Sequence, residues 1–236
     1  MKVKFALIGL MQFYARGLCI PVEVSDLEKL KYRAENGNVQ DQVDLGFMYT
    51  KGRGVALDYQ EAMRWFRKAA DQGLAMAQGN MGVIYAKGQG VAQDYQEAMR
   101  WFRKAADQGL AEGQYYLGCM YSDGQGVAQD DQEALKWLRK ASNQGFAAAQ
   151  YGLGCMYSVG QGVTMDCTEA YAWFIIASMG GEAEFVGKRD MVSRKMTPNQ
   201  IAEGKKKAER HLLTIKQNIP DQRKTSLVKP IKSSSQ

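Results

Sequence analysis

Three features of this 236-residue chain have types and spacings that could do chemistry: four cysteines, a single histidine and a recurring G-x-G turn. Thiols pair as disulfides, ligate metals or act as nucleophiles. No CxxC pair occurs among Cys19, Cys119, Cys155 and Cys167, and His211 brings no second histidine, so a zinc ligand set is missing. Cys119 and Cys155 stand 36 residues apart in equivalent settings. Equivalent helices in a stack lie roughly 8–10 Å apart, and a disulfide needs Cα atoms within about 7 Å. Both are therefore expected as free thiols, buried or lining a groove. The turns read KGRGV from Lys51, KGQGV from Lys87, DGQGV from Asp123 and VGQGV from Val159. A phosphate cradle needs a strand before it and Lys-Ser/Thr after it, and neither is present. The turns read instead as helix–helix connectors. With no Ser/His/Asp set, no paired acids in a variable cleft and no metal cluster, the chain is expected not to be an enzyme and to carry no cofactor or metal.

The elements that hold these residues follow from an internal repeat. DYQEAMRWFRKAADQGLA starts at Asp58 and again at Asp94; diverged copies start at Asp130 and Asp166, always 36 residues on. Columns that do not change between copies include Gly46, Gly82, Gly118 and Gly154; Tyr49, Tyr85, Tyr121 and Tyr157; and Trp65, Trp101, Trp137 and Trp173. Leu45 and Tyr49 share one face of a helix A, where the glycine between them lets a neighbour approach closely. Ala62, Trp65, Phe66 and Ala69 recur at i, i+3, i+4, i+7, the stripe of an amphipathic helix B. Asp58 with Glu61 reads as an N-cap and its N3 partner. Gly73 and its equivalents suit a left-handed stop to helix B. The tryptophans read as core wedges. The pattern predicts an all-α solenoid of helix–turn–helix repeats, and the absence of proline between residues 22 and 197 permits it.

The division follows: a possible leader at 1–24, an N-terminal capping helix at 25–37, four repeats at 38–181, a closing helix pair at 182–217 and a disordered basic tail at 218–236. Ser25-Asp26-Leu27-Glu28 reads as a capping box opening a helix to about Asn36, with Lys29 where later units carry tryptophan. Thr197, Pro198 and Gln200 give N-cap, N1 and N3 of a last helix, paired with one from about Glu182 to Arg194. The net charge of +6 is concentrated late: residues 182–236 hold 13 Lys+Arg against 6 Asp+Glu, and residues 1–181 hold 18 against 19. Without aromatics among those lysines, the excess reads as a solvated face and tail, not a nucleic-acid or membrane surface. Lys2 and Lys4 precede the apolar run Phe5 to Met11, with Ala15 and Gly17 as small residues of a cleavage site, the form of a short secretory leader. No stretch reaches the ~18 apolar residues of a membrane span.

The columns Leu45-Gly46-x-x-Tyr49, Gly52-x-Gly54-Val55, Asp58-x-x-Glu61-Ala62, Trp65 and Ala69, in four in-phase copies, resemble the Sel-one-like repeat family, relatives of the tetratricopeptide repeat. The resemblance covers about Asn36 to Gly181, and the segment from Ala170 to Gly204 looks like the closing segment of bacterial members. It implies a right-handed superhelix and an adaptor that assembles complexes. Many bacterial members are exported and act in host contact, envelope biogenesis or neutralisation of secreted toxins. A cysteine-rich branch with a disulfide in each repeat is matched at Cys119 and Cys155, but its second position holds Ser142 and Ser178 here.

In related arrays helix A lines the concave groove, so recognition falls on helix A columns that differ between copies. Phe47, Tyr115, Tyr116 and Tyr151 are the expected apolar centre. Lys51, Lys87, Glu112 and Asp123 are expected to set charge complementarity. The function expected is a non-enzymatic scaffold that binds a partner protein in this groove, as an exported bacterial protein, periplasmic or secreted. The alternatives are an immunity protein that neutralises a secreted toxin or lipase effector, and a cytoplasmic signalling adaptor.

Overall fold

The computed structural model describes residues 26–218; the leader, Ser25 of the capping box, Cys19 and the tail lie outside the described residues. Among these, every regular element is helical. A first helix, α1 (Asp26–Glu35), precedes four A/B pairs: α2 (Val39–Lys51) with α3 (Tyr59–Asp71), α4 (Ala75–Lys87) with α5 (Tyr95–Asp107), α6 (Ala111–Asp123) with α7 (Asp131–Ser142), and α8 (Ala147–Val159) with α9 (Cys167–Ala177). Then come α10 (Ala183–Ser193) and α11 (Pro198–Asn218). Through the repeats each helix packs chiefly on the one before and the one after, as a solenoid requires.

The repeated columns have assigned tasks. A Cβ on Gly46, Gly82 or Gly154 would come within 2.5–2.6 Å of the ring of Phe66, Phe102 or Phe174, and Leu138 fills the same place over Gly118. The glycine thus seats the B-helix side chain of its own unit against the A-helix backbone. The connectors are close-approach devices: a Cβ on Gly126 would lie 2.5 Å from the Tyr95 carbonyl oxygen of the unit before. The four indoles are each buried and lie in four separate clusters rather than around one centre. Lys68, Lys104 and Lys140 sit 4.5, 4.2 and 3.8 Å from the rings of Trp65, Trp101 and Trp137, closing them from solvent.

Polar ladders join unit to unit. Gln42, Gln78 and Gln114 are buried; each donates to a carbonyl of the preceding helix B (or α1) and accepts from Gln72, Gln108 or Gln144 at 2.8–2.9 Å. Arg67, Arg103 and Arg139 donate to the hydroxyls of Tyr85, Tyr121 and Tyr157 of the following A helix. Asp58 accepts from the N–H groups of Gln60 and Glu61, and Asp94, Asp130 and Asp166 repeat the cap. Only half of the expected reciprocal cap forms. The Asp58 N–H donates to the Tyr49 carbonyl 3.0 Å away, so Glu61 turns to Arg64 instead.

The end of the array departs from its units for a reason visible in three columns. Arg64, Arg67 and Lys68 of α3 correspond to Ala172, Ile175 and Ile176 of α9. Without cations on that face α9 is buried on nearly every side. Helices α10 and α11 both pack on it, more than on each other, which corrects the expected closing pair. Glu169, with no arginine one turn on, faces α11: His211 pairs with it and stacks on Trp173 at 4.2 Å. Lys207 bridges Asp166 at 2.7 Å and Glu169 at 3.4 Å. The Thr197–Gln200 box forms in both directions, opening α11.

Candidate binding site

The A helices keep Leu45, Gly46 and their equivalents inward, and this fixes which neighbours turn out. The column of Val43 and Gly79 is buried in the first two units. In the third and fourth it carries Tyr115 and Tyr151, whose rings outgrow that space and stand half-buried. Tyr115 meets Tyr116 and Phe146 at 5.3 Å each, and Tyr116 stacks on Phe102 at 4.7 Å. Tyr151 meets Phe174 at 5.6 Å and stacks on Phe185 of α10 at 4.8 Å. The expected residues therefore fall into separate groups. Tyr115 and Tyr116 form one, Tyr151 belongs to a second, and Phe47 sits edge-on to Phe66 at the other end with Lys51 over its ring at 5.6 Å. Lys87 and Asp123 are exposed at the ends of α4 and α6. Glu112 is exposed on the rim of a cleft of about 420 Å³ whose wall includes Leu110, Gln144 and Phe146.

Phe146 and Phe185 were missed as site residues in the sequence. Phe146 replaces Leu74 and Leu110 in an apolar column, so its ring was a detectable signal. Phe185 lies past the last repeat, where no column exists for comparison.

Burial raises the Tyr115 hydroxyl above its ordinary range and pushes that of Tyr151 up to about 12. Nearby Cys119 acts in the same sense on the first, and Cys155 and Glu184 on the second. Both phenols are therefore neutral donors at any physiological pH. Cys119, Cys155 and Cys167 are free, and burial pushes the Cys119 thiol up to about 11, which keeps it protonated and a poor nucleophile. Neither the two phenols nor the Cys119 thiol is therefore activated as a nucleophile. Another cleft, of about 810 Å³, lies along α5, lined by Glu97, Arg100, Trp101 and Lys104. Its charged groups already have partners: Glu97 pairs with Arg100, and Lys104 covers Trp101.

The Sel1 repeat model matches residues 40–74, 75–110, 111–146 and 147–182, more than half of the chain. The chain belongs to the Sel1 repeat family. Sel1 repeat proteins serve as protein-interaction scaffolds. The structure is similar to that of c5321, a protective antigen present in uropathogenic Escherichia coli strains, with 34% identity and a TM-score of 0.75 over 94% of this chain and 48% of that one. It is also similar to a Sel1 repeat protein from Oxalobacter formigenes, at 32% identity and a TM-score of 0.57, covering 76% of this chain and 72% of that one. In sequence, 44 residues are 43% identical to the secretory immunoglobulin A-binding protein EsiB of E. coli O6:H1, 19% of this chain and 9% of EsiB. The Sel1 chain described here thus spans about half the length of c5321, and its match to EsiB is shorter still. Among the described residues no helix is long and apolar enough to cross a membrane.

Proposed function

We propose that this Sel1 repeat chain is an exported, non-enzymatic scaffold that holds a partner protein against α6 and α8. One observation carries the reading. At a column buried in the first two units, the third and fourth place half-buried tyrosines, backed by Phe146 and Phe185, on neighbouring A helices. Scaffold demands do not explain rings that differ between copies, and tyrosine is a common anchor at protein interfaces because it is rigid, apolar and ends in a donor. Glu112 and Asp123, exposed and close enough to act on Tyr116 and Tyr115 respectively, supply a polar rim, and Lys87 is exposed at the end of α4. The name of EsiB, a binder of secretory immunoglobulin A, supports a protein as the ligand class.

The double change Tyr115→Ala plus Tyr151→Ala tests the surface. Partner recovered by the purified chain falls at least about tenfold, the loss of 1.4 kcal/mol or more expected for two anchors, with helix content unchanged. Equal recovery by wild type and variant sinks the proposal. The identity of the recovered protein separates the roles: a toxin or lipase marks neutralisation, a cytoplasmic enzyme marks a signalling adaptor. Export is tested by N-terminal sequencing, where a start beyond residue 17 is expected and an intact Met1 form confined to the cytoplasm overturns it.

A further inference from the structure

At each junction between repeats the connector of one unit lies on the start of the previous unit's helix B. Gly90 presses on Tyr59, Gly126 on Tyr95 and Gly162 on Asp131. Gln161 fixes the last of these, donating to Ser122 at 3.0 Å and Asp131 at 2.9 Å. The corresponding receptors at the end of the array are Ser158 and Cys167. Among the described residues no fifth connector follows. The chain turns into α10 instead, and a cleft of about 270 Å³ opens where a connector would lie, walled by Ser158, Cys167, Lys188, Met191, Lys195 and Met196.

The surroundings of this cleft differ from those of the earlier turns. Lys51, Lys87 and Asp123 give way to Val159, and Leu57, Gln93 and Gln129 to Met165. Val159, Met165 and Met191 are 70%, 69% and 53% exposed; Met191 lines the cleft, and Val159 and Met165 lie beside its wall residues Ser158 and Cys167 in the chain. Lys188 and Lys195 form no ion pair among the described residues. The acids nearby are Glu184, one turn before Lys188, and Asp190, already paired with Arg189. Methionines give an adaptable apolar floor, and the two free ammonium groups on the rim favour a carboxylate.

We propose that this cleft takes a segment of the partner protein carrying an apolar side chain flanked by acidic residues. The proposal rests on the scaffold reading and names the chemistry of one part of the partner. The cleft adjoins the tyrosine surface through α10, whose Phe185 stacks on Tyr151 and whose Lys188 lines the cleft. A second copy of this chain is a poorer occupant. Its least covered connector, at Gly54, carries Lys51 and Arg53 and would meet Lys188 and Lys195.

The test uses the full chain with methyl-labelled methionines and two synthetic peptides, one alternating leucine and glutamate pairs, the other with lysine for every glutamate. The acidic peptide is expected to shift the methyl signals of Met165, Met191 and Met196, and the basic one is not. Met191→Glu weakens the acidic peptide by at least about tenfold, and Lys188→Glu plus Lys195→Glu reverses the preference between peptides. Shifts from both peptides alike, from neither, or unchanged affinity in Met191→Glu each overturn the proposal. Tyr115→Ala alone, whose ring packs on Tyr116 and Phe146 and not on α10, leaves peptide binding intact while weakening capture of the whole partner, so failure of the cleft and failure of the tyrosine surface are told apart.

Discussion

Phe102→Ala lowers the stability of the array by about 3–5 kcal/mol, the range for emptying a buried phenylalanine site. The ring is 1% exposed and fills the space that Gly82 leaves open. It also packs into the cluster of Ala98, Ala106, Leu117, Met120 and Trp137, so it belongs to two units at once. The cavity has little means of collapse, because the facing position on α4 is already a glycine. In an array where each unit is stabilised only by its neighbours, a weak junction uncouples the halves. The urea transition of the variant therefore separates into two steps, one for the first two units and one for the last two. Circular dichroism together with tryptophan fluorescence resolves them. A single transition with an unchanged midpoint would contradict the packing described. Tyr116 also loses the ring it stacks on, so on the scaffold reading proposed above the variant weakens partner binding beyond its effect on stability.

Lys207→Met removes roughly 2–3 kcal/mol from the closing end, the scale of charged hydrogen bonds lost at a mostly covered site. Burial works against charge on Asp166, yet the Lys207 ammonium, the Thr168 hydroxyl and the Glu169 N–H outweigh it and hold the carboxyl well below its usual range. Glu169 is lowered in the same way: burial opposes its charge, and His211 and Lys207 overcome it. Lys207 is raised, because its two carboxylates outweigh the cost of its burial. The signs fix the pH dependence. The depressed carboxyls contribute stability that is complete above their ordinary values of 3.8 and 4.5 and is lost as pH falls toward their folded values. The raised ammonium contributes below 10.5 and loses its share only as pH rises past its folded value. Asp166 is more than a third exposed, so its part is the smaller one. Thermal midpoints of wild type therefore drop on acidification over roughly pH 5 to 3, and those of Lys207→Met drop less. Parallel curves would show that the bridge contributes nothing to closure.

The repeat period, the two helices per unit, the glycine stops and the aspartate caps were all legible in the sequence. Each rests on local chemistry that recurs in phase: a stripe at helical spacing, a side chain that accepts from the next turn, a residue without Cβ at a positive φ. The free state of Cys119 and Cys155 was legible too, because helix spacing exceeds disulfide reach. The glutamine ladder was not, although Gln42, Gln78, Gln114 and Gln150 form a column as constant as the tryptophans. A glutamine on a helix gives no sign of being buried until the carbonyl it reaches and the glutamine that reaches it are placed. Glu61 was misread for a related reason. Its partner was judged from sequence distance, whereas the Tyr49 carbonyl had already taken the N–H it was expected to bind.

What the sequence determined by itself is the unit and the order of the units, because each turn of helix and each cap is settled within a few residues. What the tertiary structure alone decided is which side chains stand open where units meet. Tyr115 and Tyr151 share a column with a buried valine and a buried glycine, and only the depth of the neighbouring helices turns that column into a surface. The cleft beside Met191 exists because α10 and α11 both lie on α9 where another connector would have gone. That is a property of how three helices pack, and no single stretch of chain encodes it.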